Sequence, residues 1–335
     1  MDMGTKQAKP RARALSLLSG GLDSMLAICV LKEQGVEVHA VVYDSPFFNA
    51  ERGLRAADQL NVPVHVLDFL PELVPLLEDP PHGFGKCMNP CIDCHAAMLR
   101  QAGRLMETMG FDFLSTGEVL NQRPMSQNRQ SLALVAKSSG YGEVVVRPLS
   151  ARLLPETRPE REGLVDRERL LGLSGRNRKP QMELAEKYGI TDYPSPAGGC
   201  RLTDPNFARR LRDLKEHEGL RDARAISWLR VGRHFRLEGG VKLILGRNRA
   251  DNLYLEENAA AREIILKPEG VPGPSGLLPA TATDEQIERA ARICARYSDA
   301  EPAQAVTIRI RSATDERRIQ VEPLPPESVA PYRIQ

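Results

Sequence analysis

Leu15-Ser-Leu-Leu-Ser-Gly-Gly-Leu-Asp-Ser24 runs an apolar strand straight into a tight polar turn and on into a helix. The turn is made by Ser19, Gly20, Gly21, Leu22, Asp23 and Ser24. Two adjacent glycines allow a positive φ and let a ligand approach main-chain N–H groups, while a helix beginning near Asp23 adds unpaired amides and the positive end of its dipole. That combination suits a phosphate or pyrophosphate. The stretch lacks the lysine of a Walker A loop and does not follow Gly-x-Gly-x-x-Gly, so both of those nucleotide sites are excluded. Asp23 is placed either to hold Mg²⁺ on the phosphates or simply to cap the helix.

Working outward, the pattern alternates as βαβ units do. Strands are expected at residues 14–18, 38–43 and 64–69, with helices at 24–34 and 49–60, and Gly35 and Asn61 stand where helices end in a left-handed residue. Residues 71–85 are rich in Pro and Gly and read as a loop, followed by a helix at 96–110, a strand at 111–115 ending in Thr116-Gly117-Glu118, weak helical character at 121–136 and a strand at 143–146. The fold class expected is α/β: an open parallel sheet with helices on both faces, followed by a smaller α+β domain. Ligands in such a sheet sit beyond the carboxyl ends of the strands, which is where residues 19–24 fall. Asp44, at the end of the second strand, is a candidate ribose or magnesium contact, or a turn residue.

Three of the six cysteines, Cys87, Cys91 and Cys94, crowd into eight positions, and Cys91-Ile-Asp-Cys94 opens a helix, whose amides favour thiolate. A Cys-x-x-Cys alone admits a redox pair, half a zinc site or part of an iron-sulfur site. Adding Cys200, in the loop Pro194-Ser-Pro-Ala-Gly-Gly-Cys200, makes three thiols, one fewer than a closed tetrahedral site needs. Cys29 and Cys294 lie on apolar helical patterns and read as core residues.

These stretches carry a resemblance. The turn is similar, almost letter for letter, to the Ser-Gly-Gly-x-Asp-Ser signature of the PP-loop ATP pyrophosphatases, which cleave ATP between the α and β phosphates to adenylate a substrate. Asn89-Pro-Cys-Ile-Asp-Cys-His-Ala-Ala-Met-Leu99, the strand end at Thr116-Gly117, Arg147-Pro-Leu-Ser, Leu184-Ala-Glu-Lys-Tyr-Gly-Ile190 and Ala197-Gly-Gly-Cys200 resemble segments of the tRNA 2-thiouridine synthases, over residues 15–203. The resemblance implies ATP and Mg²⁺ as cofactors, tRNA as partner, Ser19 to Ser24 with Asp44, Thr116 and Gly117 around the nucleotide, and Asp23, Cys94 and Cys200 as the catalytic residues. Cys91 stands where many of those enzymes carry Asp. With it, the trio Cys91, Cys94 and Cys200 resembles the cluster-dependent thiolases, in which three cysteines hold a 4Fe-4S cluster, with Cys87 a possible alternate ligand. The competing reading is persulfide chemistry, Cys200 carrying the sulfur and Cys94 resolving it. The sulfur donor is free sulfide, or a cysteine desulfurase or carrier protein. Glu118 replaces the family's histidine, and His95 beside Cys94 is either a supporting donor or a surface residue.

The remainder reads as an Arg- and Glu-rich extension with helices at 167–173 and 181–188, then strand-like runs at 226–231, 234–237 and 242–245, a Pro/Gly loop at 267–279, a helix at 284–297, a strand at 305–310 and a loose Pro-rich tail after Glu322. The domains expected are a basic tail at 1–13, the PP-loop domain at 14–150, an extension carrying Cys200 at 151–224, and an α+β module at 225–335. Val231-Gly-Arg-His-Phe-Arg236 and Leu245-Gly-Arg-Asn-Arg-Ala-Asp-Asn252 resemble the RNA-binding domain of the NFACT proteins, which implies RNA contacts at Arg233, Arg236, Arg247, Asn248 and Arg249. Trp228, Phe235 and Tyr254 alternate with these arginines as candidate stacking surfaces.

Charge agrees with a polyanionic partner. The chain of 335 residues carries a net charge of only +2, but residues 121–181 hold twelve Lys and Arg against six Asp and Glu, and residues 201–262 fourteen against nine. No apolar run reaches transmembrane length and no signal-peptide core is present, so a cytoplasmic protein without membrane attachment is expected, with an oligomer left open. The function expected is an ATP-dependent tRNA sulfurtransferase that adenylates a uridine carbonyl oxygen and replaces it with sulfur. The alternatives are another PP-loop ligase with a zinc site, or a non-catalytic, nucleotide-responsive RNA-binding protein.

Overall fold

The structure, a computed structural model, describes residues 12–195, 200–301 and 304–334. The basic tail through residue 11 and residues 196–199 of the Gly-Gly-Cys loop lie outside the described residues. The chain forms two compact units, dividing between Thr203 and Asp204.

The first unit follows the expected alternation: β1 (Arg13–Leu17), α1 (Leu22–Glu33), β2 (Glu37–Asp44), α2 (Glu51–Leu60), β3 (Val64–Asp68), α3 (Leu70–Glu78), α4 (Cys91–Met109), β4 (Phe113–Thr116), α5 (Arg129–Ser139) and β5 (Val145–Val146). The five strands are parallel in the order β3-β2-β1-β4-β5. Helices cover both faces, so Ala14, Leu15, Phe113, Leu114, Val145 and Val146 are fully buried and the central strands read as continuous apolar runs. The chain steps from β1 outward through β2 to β3, then returns to β4 on the other side of β1. The ligand crevice of such a sheet opens at that reversal, between the carboxyl ends of β1 and β4. Asn61 caps α2 at φ +47°, and Gly35, at φ +84°, follows the end of α1, as their positions in the sequence suggested.

Two expectations in this unit need correction. Residues 71–85 are not all loop: α3 occupies Leu70–Glu78, because Pro71 sits in its first turn, where no amide is lost, and Leu73 and Leu77 are buried. The helix expected at 167–173 shrinks to a single 3₁₀ turn, Arg167–Arg169, since the N–H groups of Leu171 and Leu173 bond instead to the carbonyls of Pro148 and Leu149. A one-turn α6 (Arg158–Arg161) with a Thr157/Glu160 capping box precedes it, and α7 (Lys179–Lys187) matches the other expected helix.

The second unit contains α8 (Pro205–His217), α9 (Ala223–Trp228), β6 (Arg233–Arg236), β7 (Lys242–Leu245), α10 (Arg249–Asn258), β8 (Glu263–Glu269), β9 (Gly276–Pro279), α11 (Asp284–Arg296), β10 (Val306–Arg311), β11 (Glu316–Val321) and α12 (Pro326–Val329). Its antiparallel sheet has the order β11-β10-β8-β9-β7-β6. One face packs Phe235, Leu243, Leu266 and Ile308 against Ala290, Ile293 and Cys294 of α11. The other buries Trp228, Val231, Ile244, Leu255, Ile265 and Leu277 together.

Here the sequence misled in several places. Residues 226–231 begin within a helix, α9, not a strand: Asp222 accepts from the Arg224 amide and caps it, and the apparent alternation came from Ile226 and Trp228 both turning inward. The loop expected at 267–279 contains the end of β8 and all of β9, disguised by their prolines and glycine. The tail after Glu322 is held: Leu324 and Val329 join the core, and the Ile334 amide bonds to the His234 carbonyl at 3.0 Å. The unit also begins upstream of residue 225, because Asp213 of α8 pairs with Arg236 of β6 at 2.6 Å and Lys242 of β7. Among the described residues no helix is long and apolar enough to cross a membrane.

Candidate active site

The turn after β1 does what its two glycines allow. Gly20 takes φ +75°, and a Cβ there would stand 2.5 Å from the backbone of Arg52. Gly21 starts α1 with no side chain capping it, which leaves first-turn amides available to an anion. The serines instead brace the turn: Ser24 Oγ donates to the Gly21 carbonyl at 2.8 Å and lies 3.3 Å from Ser19 Oγ. Leu22 is buried at the start of the helix and anchors it to the core. Beside it, Ser16 and Ser115 share a buried hydrogen bond of 2.8 Å that ties β1 to β4.

β4 delivers Thr116 and Gly117 against the same turn. A Cβ on Gly117 would lie 2.4 Å from the Ser24 amide nitrogen and 2.6 Å from the Asp23 carbonyl carbon, so only glycine permits this approach. Asp44 stands at the end of β2, but its carboxylate accepts from the Ala50 amide at 3.0 Å, which is the turn role considered for it.

Asp23 is not consumed by capping. Its Oδ2 accepts from Gln122 Nε2 at 3.1 Å, whereas Oδ1 is buried with no partner. Burial raises its pKa, against the opposing pull of Gln122, Arg178, Gln181 and Arg123. An unpartnered buried carboxylate oxygen is what a divalent cation would take up, so this residue fits Mg²⁺. Gln122, Arg123, Arg178 and Gln181 were not legible as site residues, since they come from two segments 50 positions apart joined by a bridge between Leu120 and Ser174.

The cysteines converge in part. Cys91 and Cys94 open α4, and the loop before it is pinned down: His82 bonds to the buried Asp93 at 2.6 Å, Asn89 Nδ2 donates to Cys91 Sγ at 3.2 Å and Asn89 Oδ1 accepts from the Cys87 amide at 3.1 Å. Burial pushes the Cys94 thiol up, and Cys200 and Cys91 push it further; the Cys200 thiol is raised by burial and by Cys91, against the Leu202 and Thr203 amides and Arg123. The three thiols are therefore near enough to act on one another. The thiolate expected of Cys94 at a helix start is overridden, because desolvation outweighs the dipole. All three, with Cys87, are free thiols, a donor set whose chemistry suits iron or zinc. Yet among the described residues no three His, Cys, Asp or Glu side chains are gathered closely enough to hold a metal ion. Cys294 is core, as expected, with its thiol pushed up to about 12 by burial, whereas Cys29 is only half-buried.

Glu118 shows what the substitution after Thr-Gly accomplishes. Its buried carboxylate accepts from Arg147 Nε at 2.8 Å and Thr116 Oγ1 at 3.0 Å, and lies 3.4 Å from His95 Nδ1. Burial opposes ionisation, but Arg147 and His95 overcome it and hold the carboxyl down at about 2. Glu118 thus joins the strand end at the nucleotide turn to Arg147 after β5 and, through His95, to the helix turn bearing Cys94.

In the second unit the proposed RNA residues divide into two kinds. Arg236 is tied into Asp213 at 2.6 Å and Glu218 at 2.9 Å, and Phe235 is fully buried, so both serve the fold. Asn248 caps α10 by accepting from the Asp251 amide, and Arg247 pairs with Asp251 at 2.7 Å. Arg233 donates to the Gly246 carbonyl at 3.2 Å and lies 5.0 Å from the Tyr297 ring centroid. Arg249 is exposed, as is Tyr254, whose ring meets Trp228 edge-on.

Comparisons with known proteins fall on the same two regions. Residues 10–152 match the family model described as thiamine biosynthesis protein (ThiI), and residues 232–333 match that of the NFACT protein RNA binding domain. A tRNA-specific 2-thiouridylase of Syntrophus aciditrophicus is 26% identical over 238 residues, covering 62% of each chain. One from Thermus thermophilus is 31% identical over 145 residues, covering 34% of this chain and 38% of its own. Another, from Clostridium beijerinckii, is 25% identical over 337 residues, covering 89% of this chain and 88% of its own. The chain thus spans about three fifths of the first of these relatives and under two fifths of the second.

Proposed function

We propose, from the premise that this chain joins a PP-loop domain of the ThiI type to an NFACT-type RNA-binding domain, that it is an ATP-dependent tRNA uridine sulfurtransferase. The observation that carries this reading is the uncapped, glycine-bearing helix start beside the buried, unpartnered Oδ1 of Asp23, in the unit that also holds the free thiols of Cys91, Cys94 and Cys200.

In this reading the amides of residues 19–24 hold the β and γ phosphates, with Asp23 holding Mg²⁺ through its free Oδ1. The uridine carbonyl oxygen attacks the α phosphorus, the bond to the bridging oxygen breaks and PPi leaves, so that a poor leaving group becomes AMP. Loop amides, fixed before the reaction, stabilise the charge gathering on the departing phosphate without reorganising. Because a uridine in folded tRNA is stacked, the base must be turned out to reach the site. Sulfur then attacks the activated ring carbon and AMP departs.

Drawn closer together than they stand in this structure, Cys91, Cys94 and Cys200 would hold a 4Fe-4S cluster, whose chemistry there would be to supply sulfide. In the alternative, Cys200 carries the sulfur as a persulfide; its terminal sulfur attacks the base, Cys94 displaces it by forming a disulfide with Cys200, and a thiol reductant resets the pair. The presence of three free thiols in place of two favours the first, since a metal binds thiolate directly.

The test is PPi release with and without tRNA. Release that needs tRNA and vanishes in Asp23→Ala is expected; release indifferent to tRNA points to a ligase acting on a small acid. Iron and sulfide analysis of anaerobically purified protein separates the cluster from the persulfide.

A further inference from the structure

The nucleotide turn is bordered by a second set of polar groups that the mechanism above leaves unused. Among the described residues, Arg178 Nε is buried without an acceptor, and Gln181 Oε1 is buried without a donor, in a residue only 1% exposed. Both stand by Asp23, whose Oδ1 is likewise unpartnered. Buried polar atoms are almost always paired, and a buried arginine N–H has no reason to be left open unless a ligand completes it. By contrast, Arg147 and Arg167, also packed into this unit, spend N–H groups on Glu118 and Glu160.

Arg123 arrives beside them on a closed loop. Gln122 bonds to Asp23, the Gln127 and Ser126 amides both bond to the Arg123 carbonyl at 2.8 and 3.3 Å, and the Asn121 amide bonds to the Gln127 carbonyl at 2.8 Å. The Gly175 amide bonds to the Leu120 carbonyl at 2.8 Å, so the two segments bearing Arg123 and Arg178 come in together. Neither arginine forms an ion pair with an acidic side chain among the described residues, although both act electrostatically on Asp23. Arg123 also acts on Cys200.

We propose that Arg123 and Arg178 are anion clamps that complete a Mg²⁺–pyrophosphate subsite around Asp23. An Mg²⁺–pyrophosphate unit supplies what each open atom lacks: phosphate oxygens accept from the two guanidinium groups, and the cation with its waters takes up Asp23 Oδ1 and Gln181 Oε1. Two arginines against one carboxylate leave the site net positive, as a leaving pyrophosphate requires. The proposal rests on the nucleotide reading of the 19–24 turn and adds the groups that hold the leaving group from outside it.

Calorimetric titration of the full chain with inorganic pyrophosphate and Mg²⁺, and separately with a non-hydrolysable ATP analogue, tests it. Each of Arg123→Ala and Arg178→Ala is expected to weaken pyrophosphate about tenfold or more, from loss of a charge-assisted contact, with part recovered in Arg123→Lys and Arg178→Lys. Arg176→Ala, an exposed neighbour, should bind as wild type does. Unchanged pyrophosphate affinity in both Arg123→Ala, a surface variant whose folding is not in question, and Arg178→Ala overturns the clamp while leaving the nucleotide reading standing. A wild type that binds neither pyrophosphate nor the ATP analogue overturns that reading and the clamp with it.

Discussion

Replacing Arg147 by methionine isolates the buried ion pair that joins the ends of β4 and β5 beside the nucleotide turn. The side chains of Arg147 and Glu118 are only 8% and 10% exposed, so removal of the cation leaves a carboxylate stranded out of water. Breaking one side of such a pair costs about 3–5 kcal/mol. The lowered pKa points the same way: a Glu118 carboxyl held at about 2 instead of 4.5 corresponds to about 3 kcal/mol at neutral pH. Because the folded-state value is the lower one, this stability is fully present above about 4.5 and is lost as pH falls toward 2. The gap between wild type and Arg147→Met should therefore be widest near neutrality and close as the solution is acidified. Urea unfolding followed by far-UV circular dichroism measures it; the single tryptophan, Trp228, lies in the second unit and would not report on the first. Glu118→Gln combined with Arg147→Met should recover part of the loss, since neither partner is then left charged and alone. A gap under about 1 kcal/mol at neutral pH, or one that stays constant on acidification, would refute the assignment of this pair.

Gly117→Ala should weaken an ATP analogue by about tenfold or more while the protein stays folded, because the new methyl group drives β4 off the start of α1; unchanged affinity by calorimetry contradicts that packing. Cys94→Ala and Cys200→Ala should bind the analogue as wild type does and yet make no thiolated nucleoside, and product from either variant rules out the site. In the second unit, Arg249→Ala should weaken tRNA binding and flatten its salt dependence, as loss of a phosphate contact does. Arg236→Ala should instead lower the unfolding midpoint, since it removes the ion pair with Glu218 and leaves Lys242 alone to balance Asp213, and a change confined to tRNA affinity would contradict its structural role.

The parallel sheet was readable because its central strands are buried on both faces and its turn carries two adjacent glycines. The cysteines were readable from spacing. What escaped was whatever depended on distant partners: Arg178 and Gln181 look like ordinary surface-helix residues until α7 is folded against the nucleotide turn, and Glu118 reads as an exchange for histidine until Arg147 is seen beside it. The second unit was harder. Its strands β8 and β9 contain Pro268, Gly276 and Pro279, residues that normally mark loops, and are held by antiparallel neighbours remote in sequence. Arginine counting there was also a weak guide, because a guanidinium locked to Asp213 is part of the fold and not a free contact for phosphate.

Sulfur incorporation into tRNA is the most direct measurement. Purified protein, kept anaerobic, is incubated with ATP, Mg²⁺, sulfide and unmodified tRNA, and the digested nucleosides are read by mass spectrometry. The account predicts a thiouridine that appears only with ATP and is absent from the Asp23→Ala, Cys94→Ala and Cys200→Ala proteins. Protein with a full complement of iron and sulfide that binds ATP and tRNA but yields no thiouridine would contradict it.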